Sequence, residues 1–364
     1  MRLFQAKTQE SGLSLIELMI SIVLGLLIVT AVIQLFLSNK NTYRITESQT
    51  QMQDNARFAL NYLSKEIRSA GYSGCRAIEE TDVEIIANAP LPTIMDEDTI
   101  MTGTESWGEG VVSATLGPVK TGSDVFTTQR AVGCGATLVS NLATSDANID
   151  VASPNRCNLI PGEVLMIADC ETAHIFRVTS VTANGAGDIE TIVHADDVNQ
   201  ASRFCKGYST LPLTGNCDDK KNKLYNYDAE LYEFTSSSYF IRDDDIGLPA
   251  LWVFDNTSAT TLPNVANPNP RVMISGIDDM QIEYGLDDND DDTIDRYDNA
   301  QAITNANEWE KVMSTEVSLL VQTQETNLTL NDQVLNYNGA DVIGNDGRLR
   351  RVFTTIIGVR NRVQ

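Results

Sequence analysis

Hydrophobic and polar positions fall into three regimes along the chain. From Leu13 to Leu37 the sequence is apolar almost without interruption, and Glu17 is the one charge among those 25 residues. As a helix this run measures about 37 Å at 1.5 Å per residue, enough to cross a hydrocarbon core of about 30 Å. From Ser38 the residues turn polar, yet no proline or glycine occurs before Gly71. Within this second stretch Met52, Ala56, Ala59, Leu63, Ile67 and Ala70 recur at steps of three and four, which is one stripe of a helix. The spacing predicts one helix from about Leu13 to Ala70, stopped by Gly71 and Gly74 with Arg68 in its last turn. The alternative is two helices broken near Asn39–Asn41.

Past Gly74 the period shortens to that of strands separated by Gly, Asn, Asp and Pro turns. Candidate strands are DVEIIAN, SDVFTTQRAV, EVLMIAD, AHIFRVTSVT, IETIVHA, AELYEFTSSSYFIRD, ALWVFDN, RVMISGIDDMQIEYGL, MSTEVSLLVQTQ and RVFTTIIGVRNR. So many strands without long helices between them point to antiparallel sheet, and the expected class is α+β: one long helix with its lower stripe packed on a sheet. NVANPNPR, Asn264 to Arg271, reads as a loop. The stretch from roughly 110 to 205 reads as a small β subdomain inserted in a body that spans 71–364.

Composition bounds the chemistry. The formal charge is −24, with 42% hydrophobic and 21% charged residues, so a phosphate backbone is repelled and nucleic-acid binding is disfavoured. Six cysteines (Cys75, Cys134, Cys157, Cys170, Cys205, Cys217) form no CxxC, and His174 and His194 are the two histidines. That supply suits disulfides in an exported protein better than a Cys/His zinc site, and short loops such as Cys205 with Cys217 are favoured. No nucleophile elbow, zinc-protease helix, P-loop or dinucleotide glycine pattern is present, and His174 in AHIFRV reads as a structural strand residue. No enzymatic activity is expected.

The apolar run has two ordinary explanations. A removed signal peptide would be shorter and would end in small residues, whereas this run ends in LFLSNK. A plain membrane anchor explains the leucines but not Glu17, since an acid within a membrane segment is expensive and invites a partner. Arg2 and Lys7 before the run balance Lys40 and Arg44 after it, so flanking charge does not set the topology.

The residues Gly12-Leu13-Ser14-Leu15-Ile16-Glu17 resemble the processing motif of type IV prepilins and pseudopilins. The resemblance implies a leader of residues 1–12, cleavage after Gly12 by a prepilin peptidase, an N-methylated Leu13 and the family's glutamate at Glu17. The first mature residue is usually Phe in that family, and here it is Leu. Glu17 would neutralise the cationic amino terminus of a neighbouring subunit inside a packed bundle of helices, where opposite charges attract strongly. Ser21 and Gly25 are spaced to let helices approach, though chance explains that pair as well. Residues 13–37 would be the membrane and filament-core part, and 38–70 the amphipathic continuation. NARFALNYLSKEIRSAGYSGC (Asn55 to Cys75), LIPGEVLMIADCETAHIFRVTSV (Leu159 to Val181) and RVFTTIIGVRNR (Arg351 to Arg362) are similar to PilW-type minor pilins. This implies a pilin-like fold in which the strands around Val272–Leu286, Met313–Gln324 and Arg351–Arg362 form the sheet beside the helix. It implies the inner membrane before assembly and the pilus afterwards. The partners implied are the major pilin, other minor pilins and a tip adhesin, in priming assembly for motility, adhesion and DNA uptake. A type II secretion pseudopilin shares the leader, and an anchored calcium-dependent adhesin that never polymerises is the reading from another class.

Two charged stretches complete the picture. GLDDNDDDTIDRYDNA holds seven aspartates between Asp287 and Asp298. The register Asp287, Asn289, Asp291, the Thr293 carbonyl, Asp295 and Asp298 fits a twelve-residue calcium loop, although Asp292 stands where glycine eases the turn and Asp298 replaces a bidentate glutamate. A solvated acidic turn is the alternative. Residues 348–364 hold five arginines and no acid, either a basic edge for an acidic neighbour or a solvated strand face over an acidic body.

Overall fold

The computed structural model describes residues 14–75, 78–89, 94–105, 116–207, 221–258, 270–329 and 331–362. Two compact units divide it, Met1–Gln51 and Met52–Gln364, and the helix α1 (Leu15–Arg68) contributes to both.

In the globular unit the strands are β1 (Asp82–Ile85), β2 (Met101–Thr104), β3 (Val125–Thr137), β4 (Ile149–Ala152), β5 (Val164–Ala168), β6 (Thr172–Arg177), β7 (Ser180–Ala183), β8 (Ile189–Val193) and β9 (Glu230–Asp243). They continue as β10 (Pro249–Asp255), β11 (Arg271–Ser275), β12 (Ile277–Leu286), β13 (Arg296–Asn299), β14 (Val312–Gln322), β15 (Gln333–Tyr337), β16 (Ala340–Gly344) and β17 (Arg350–Gly358). A short helix, α2 (Ala300–Ala306), follows β13.

The largest sheet runs β1-β6-β5-β9-β10-β11, with β2 and β3 joined through β9. All its pairs are antiparallel except β1 with β6. A second sheet has the order β13-β12-β14-β17, and smaller sheets are β4-β8-β7 and the hairpin β15-β16. The class is α+β, as the pattern predicts. Within the stretch 110–205, β3, β5 and β6 join the large sheet while β4, β7 and β8 form their own three-stranded sheet.

The expected helical stripe is the helix's buried face. Ala56, Ala59, Leu63, Ile67 and Ala70 are fully buried and Met52 nearly so. They share one core with Tyr239, Ile241, Leu251 and Val253 of the large sheet and with Met280, Ile282, Val317, Leu319 and Ile357 of the second. Three alanines in the stripe, Ala56, Ala59 and Ala70, leave room for close approach, and Leu63 and Ile67 each contribute about 1.5–3 kcal/mol by burial. Gly71 stops the helix at φ 75°, where a side chain would also meet Ile100, and its N–H passes to the carbonyl of Gln129.

Two expected strands are each divided. RVMISGIDDMQIEYGL breaks at Gly276, whose φ of 94° turns the chain from β11 in one sheet to β12 in the other. AHIFRVTSVT breaks between Arg177 and Ser180 and likewise feeds two sheets. A second core gathers Phe176, Phe204, Tyr225 and Leu231, with the His194 ring stacked on Phe204 at 4.5 Å.

The large sheet also holds one charge conflict. Burial, and then the neighbouring carboxylates Glu233 and Asp255, push Glu163 from its ordinary 4.5 up to about 7, against an Asn158 hydrogen bond that pulls it down. Its folded pKa lies above its unfolded one. The protonated form therefore favours the fold below about pH 4.5, and that contribution is lost as pH rises through 7. Glu163→Gln is expected to raise stability at pH 8 by about 2 kcal/mol after allowance for partial solvent screening, and to change little at pH 4. Denaturant unfolding at the two pH values checks this; an equal effect at both contradicts it.

Candidate functional site

The amino end of α1 carries most of the residues singled out from the sequence. Gly12 and Leu13 lie outside the described residues. Ser14 precedes the helix, and the N–H of Glu17 donates to the Ser14 carbonyl (3.1 Å) and to Ser14 Oγ (3.3 Å). Ser14 is thus the N-cap, and Ser-x-x-Glu is the spacing of a capping box, a local signal in the residues that the motif reading passed over. Glu17 stands in the first turn, where the helix dipole favours a negative charge. Its carboxylate is exposed.

Every large apolar side chain from Leu15 to Leu37 is more than half exposed. So continuous an apolar surface requires lipid or other helices to cover it. Among the described residues this is the one helix long and apolar enough to cross a membrane. Two of its hydroxyls are satisfied within the helix: Ser21 Oγ donates to the Glu17 carbonyl (2.7 Å) and Thr30 Oγ1 to that of Leu26 (2.8 Å). Gly25 leaves open space beside it.

The globular unit is braced by cross-links and buried charge. Cys75 is bonded to Cys170 and Cys134 to Cys157, with Cα–Cα distances of 5.2 and 4.7 Å. Cys205 is disulfide-bonded as well, and Cys217 lies outside the described residues. Glu66 on the buried side of α1 receives two parallel bonds from Arg130 on β3, both 3.0 Å. His174 is fully enclosed on β6, with Nδ1 2.6 Å from the Tyr225 hydroxyl and Nε2 2.8 Å from the Cys205 carbonyl. Burial pushes His174 down to about 3, so it is neutral and joins strands as a structural residue.

The carboxy-terminal arginines divide into two groups, and neither sequence reading describes all five. Arg350 binds Asp278, Asp346 and Gln322. Arg348 binds the carbonyls of Thr323 and Gln324. Arg362 is buried, with its guanidinium on the carbonyls of Trp309, Val312 and Glu97. Three of the five arginines therefore close the fold internally; Arg351 and Arg360 stay exposed.

The acidic stretch folds as a turn between β12 and β13. Asp287 accepts from the N–H groups of Asn289, Asp291 and Asp292; burial raises its pKa, but these bonds win and hold it below the usual carboxylate range. Asp291 accepts from Thr293, and Asp295 from the N–H of Asp288. Asp298 and Asp288 both pair with Arg296. Among the described residues no group of three or more His, Cys, Asp or Glu side chains is placed to hold a metal.

Residues 238–361 match the family model described as type IV pilus-assembly protein W. By this match the segment resembles the PilW family. It begins within β9 and includes all of β10 to β17, so it holds β12, β14 and β17, three strands that the resemblance expects in the sheet beside the helix, together with β13. No curated protein and no solved structure matches the chain. The match supports a role related to type IV pilus assembly and implies contact with other components of that machinery.

Proposed function

We propose that the chain is a minor pilin that primes pilus assembly and stands at the pilus tip. A prepilin peptidase trims the leader after Gly12, Leu13 becomes the methylated amino terminus, and Glu17 pairs with the amine of an adjoining subunit. The chain is held in the inner membrane by residues 13–37 with the globular unit periplasmic, then moves into the filament beside the major pilin, other minor pilins and a tip adhesin. Motility, adhesion and DNA uptake follow from that place. The observation that carries this reading is a PilW-family match on the same chain as a capped apolar helix with its single acid in the first turn. The disulfides suit an oxidising compartment. The PilW-family match favours this reading over a secretion pseudopilin, which shares the leader.

Mass spectrometry of the amino terminus tests it. The chain is expected to begin at a methylated Leu13 in cells with the peptidase and at Met1 in cells without it; a Met1 start in both overturns the reading. Glu17→Gln is expected to insert in the membrane normally and enter filaments about tenfold less, the change that losing a contact of about 1.4 kcal/mol brings. Unchanged filament content would remove the charge-pair role.

A further inference from the structure

Every edge strand among the described residues has four or five residues except β17, which has nine. It pairs with β14 in nine consecutive positions from Ser314↔Gly358 to Gln322↔Arg350, without a bulge. It contains no proline and no lysine. Short length, bulges, proline and lysine are the ordinary defences of an edge, and β17 has none of them.

The direction of its backbone groups follows from the bonds at its two ends. On the β14 side, Val359 N donates to Met313 O (2.8 Å) and Thr323 N to Leu349 O (2.9 Å). Arg350 faces the other way. Its N–H donates to Gln333 Oε1 and its carbonyl accepts from Gln333 Nε2, both at 2.8 Å. Backbone groups alternate sides along an antiparallel strand, so Val352, Thr354, Ile356 and Gly358 also point outward. The Gln333 amide closes the first outward position as a strand would, and no partner strand follows among the described residues. Thr354 and Gly358 are exposed, and Ile356 is 58% exposed.

We infer that the free edge of β17 is a docking strand for an extended, carboxylate-bearing segment of another protein, which adds to the sheet β13-β12-β14-β17. Charge selects that occupant. Arg351 and Arg360 flank the open positions, are exposed and form no ion pair among the described residues, and no acid occurs from residue 347 to the end of the chain. Arg351 lies over the Phe353 ring at 5.5 Å, which holds its charge at the edge. A second copy of this chain is disfavoured because two bodies at −24 repel. Backbone bonds would supply affinity, and the arginines would supply preference.

The test compares hydrogen exchange of the full-length protein alone in detergent with that of the same protein in the assembly it co-purifies with. The amides of Val352, Thr354, Ile356 and Gly358 are expected to exchange at least about tenfold more slowly in the assembly, while Phe353 and Thr355 are slow in both. Equal exchange in the two samples, or no assembly recovered, overturns the proposal. Protection that develops when the pure chain is concentrated alone assigns the edge to a second copy and overturns the chosen occupant. Ile356→Pro removes one outward N–H but no bond to β14; it is expected to fold and to lose the partner. Arg351→Glu with Arg360→Glu leaves the backbone untouched and is expected to reduce co-purification about tenfold; undiminished recovery counts against the proposal. A leader trimmed after Gly12 with a fast-exchanging edge defeats this inference alone, whereas a protected edge on an untrimmed chain defeats the pilus reading alone.

Discussion

Serine at both Cys75 and Cys170 is expected to lower the stability of the protein by about 3–5 kcal/mol. The two residues are 95 apart in sequence, and closing a loop of roughly that length restricts the unfolded chain by about 4.7 kcal/mol in the chain-entropy account. The bridge ties the segment just past α1 to the turn between β5 and β6. Beside it Tyr72 meets the Tyr232 ring edge-on at 6.1 Å, and Asp169 pairs with the largely buried Lys223. Releasing the bridge loosens the exit of the helix from its sheet. Serine at Cys134 and Cys157, which are 23 apart, is expected to lower stability by a smaller amount, about 3 kcal/mol. Urea unfolding of the full-length protein in detergent gives both values. A reversed order, or no change for the first pair, contradicts the account.

The second large effect is expected at Glu66 and Arg130. Their side chains are 7% and 13% exposed and joined by two parallel bonds. Arg130→Met leaves a carboxylate buried without its partner, and Glu66→Leu leaves the guanidinium; each is expected to lower stability by about 3–5 kcal/mol. The double variant is expected to lose less than either single one, because two buried charges are replaced by apolar volume. Additive losses in the double-mutant cycle would mean that the pair is not the interaction being broken.

Much of the fold was legible because its signals are local. The three-and-four spacing from Met52 to Ala70 marks a buried helical face wherever the helix packs, and each of those positions is buried. The long strands β9, β12, β14 and β17 announce themselves by β-branched and aromatic runs. The short ones do not. β13 is Arg-Tyr-Asp-Asn at the end of an aspartate run, and it is a strand because β12 lies beside it to pair with. α2 did leave a local mark, an Asn299 N-cap before an alanine-rich heptapeptide, which strand-seeking passed over.

The candidate site divides in the same way. The apolar run, the acid at Glu17 and the cap at Ser14 all lie within a few turns of one helix, so short-range sequence carries them. The pairing of Arg350 with Asp278, the carbonyls that Arg362 meets and the choice of Cys170 for Cys75 are contacts between residues remote in sequence. Composition showed five arginines near the carboxyl end, but it does not say which carbonyl or carboxylate each one meets. By itself the sequence determined the long helix, its buried stripe and the strand-rich body, because helix and strand periods are set by the backbone. The tertiary structure alone decided which charges are paired inside and which strand edge stays open, because pairing depends on what the folded chain brings within about 3 Å.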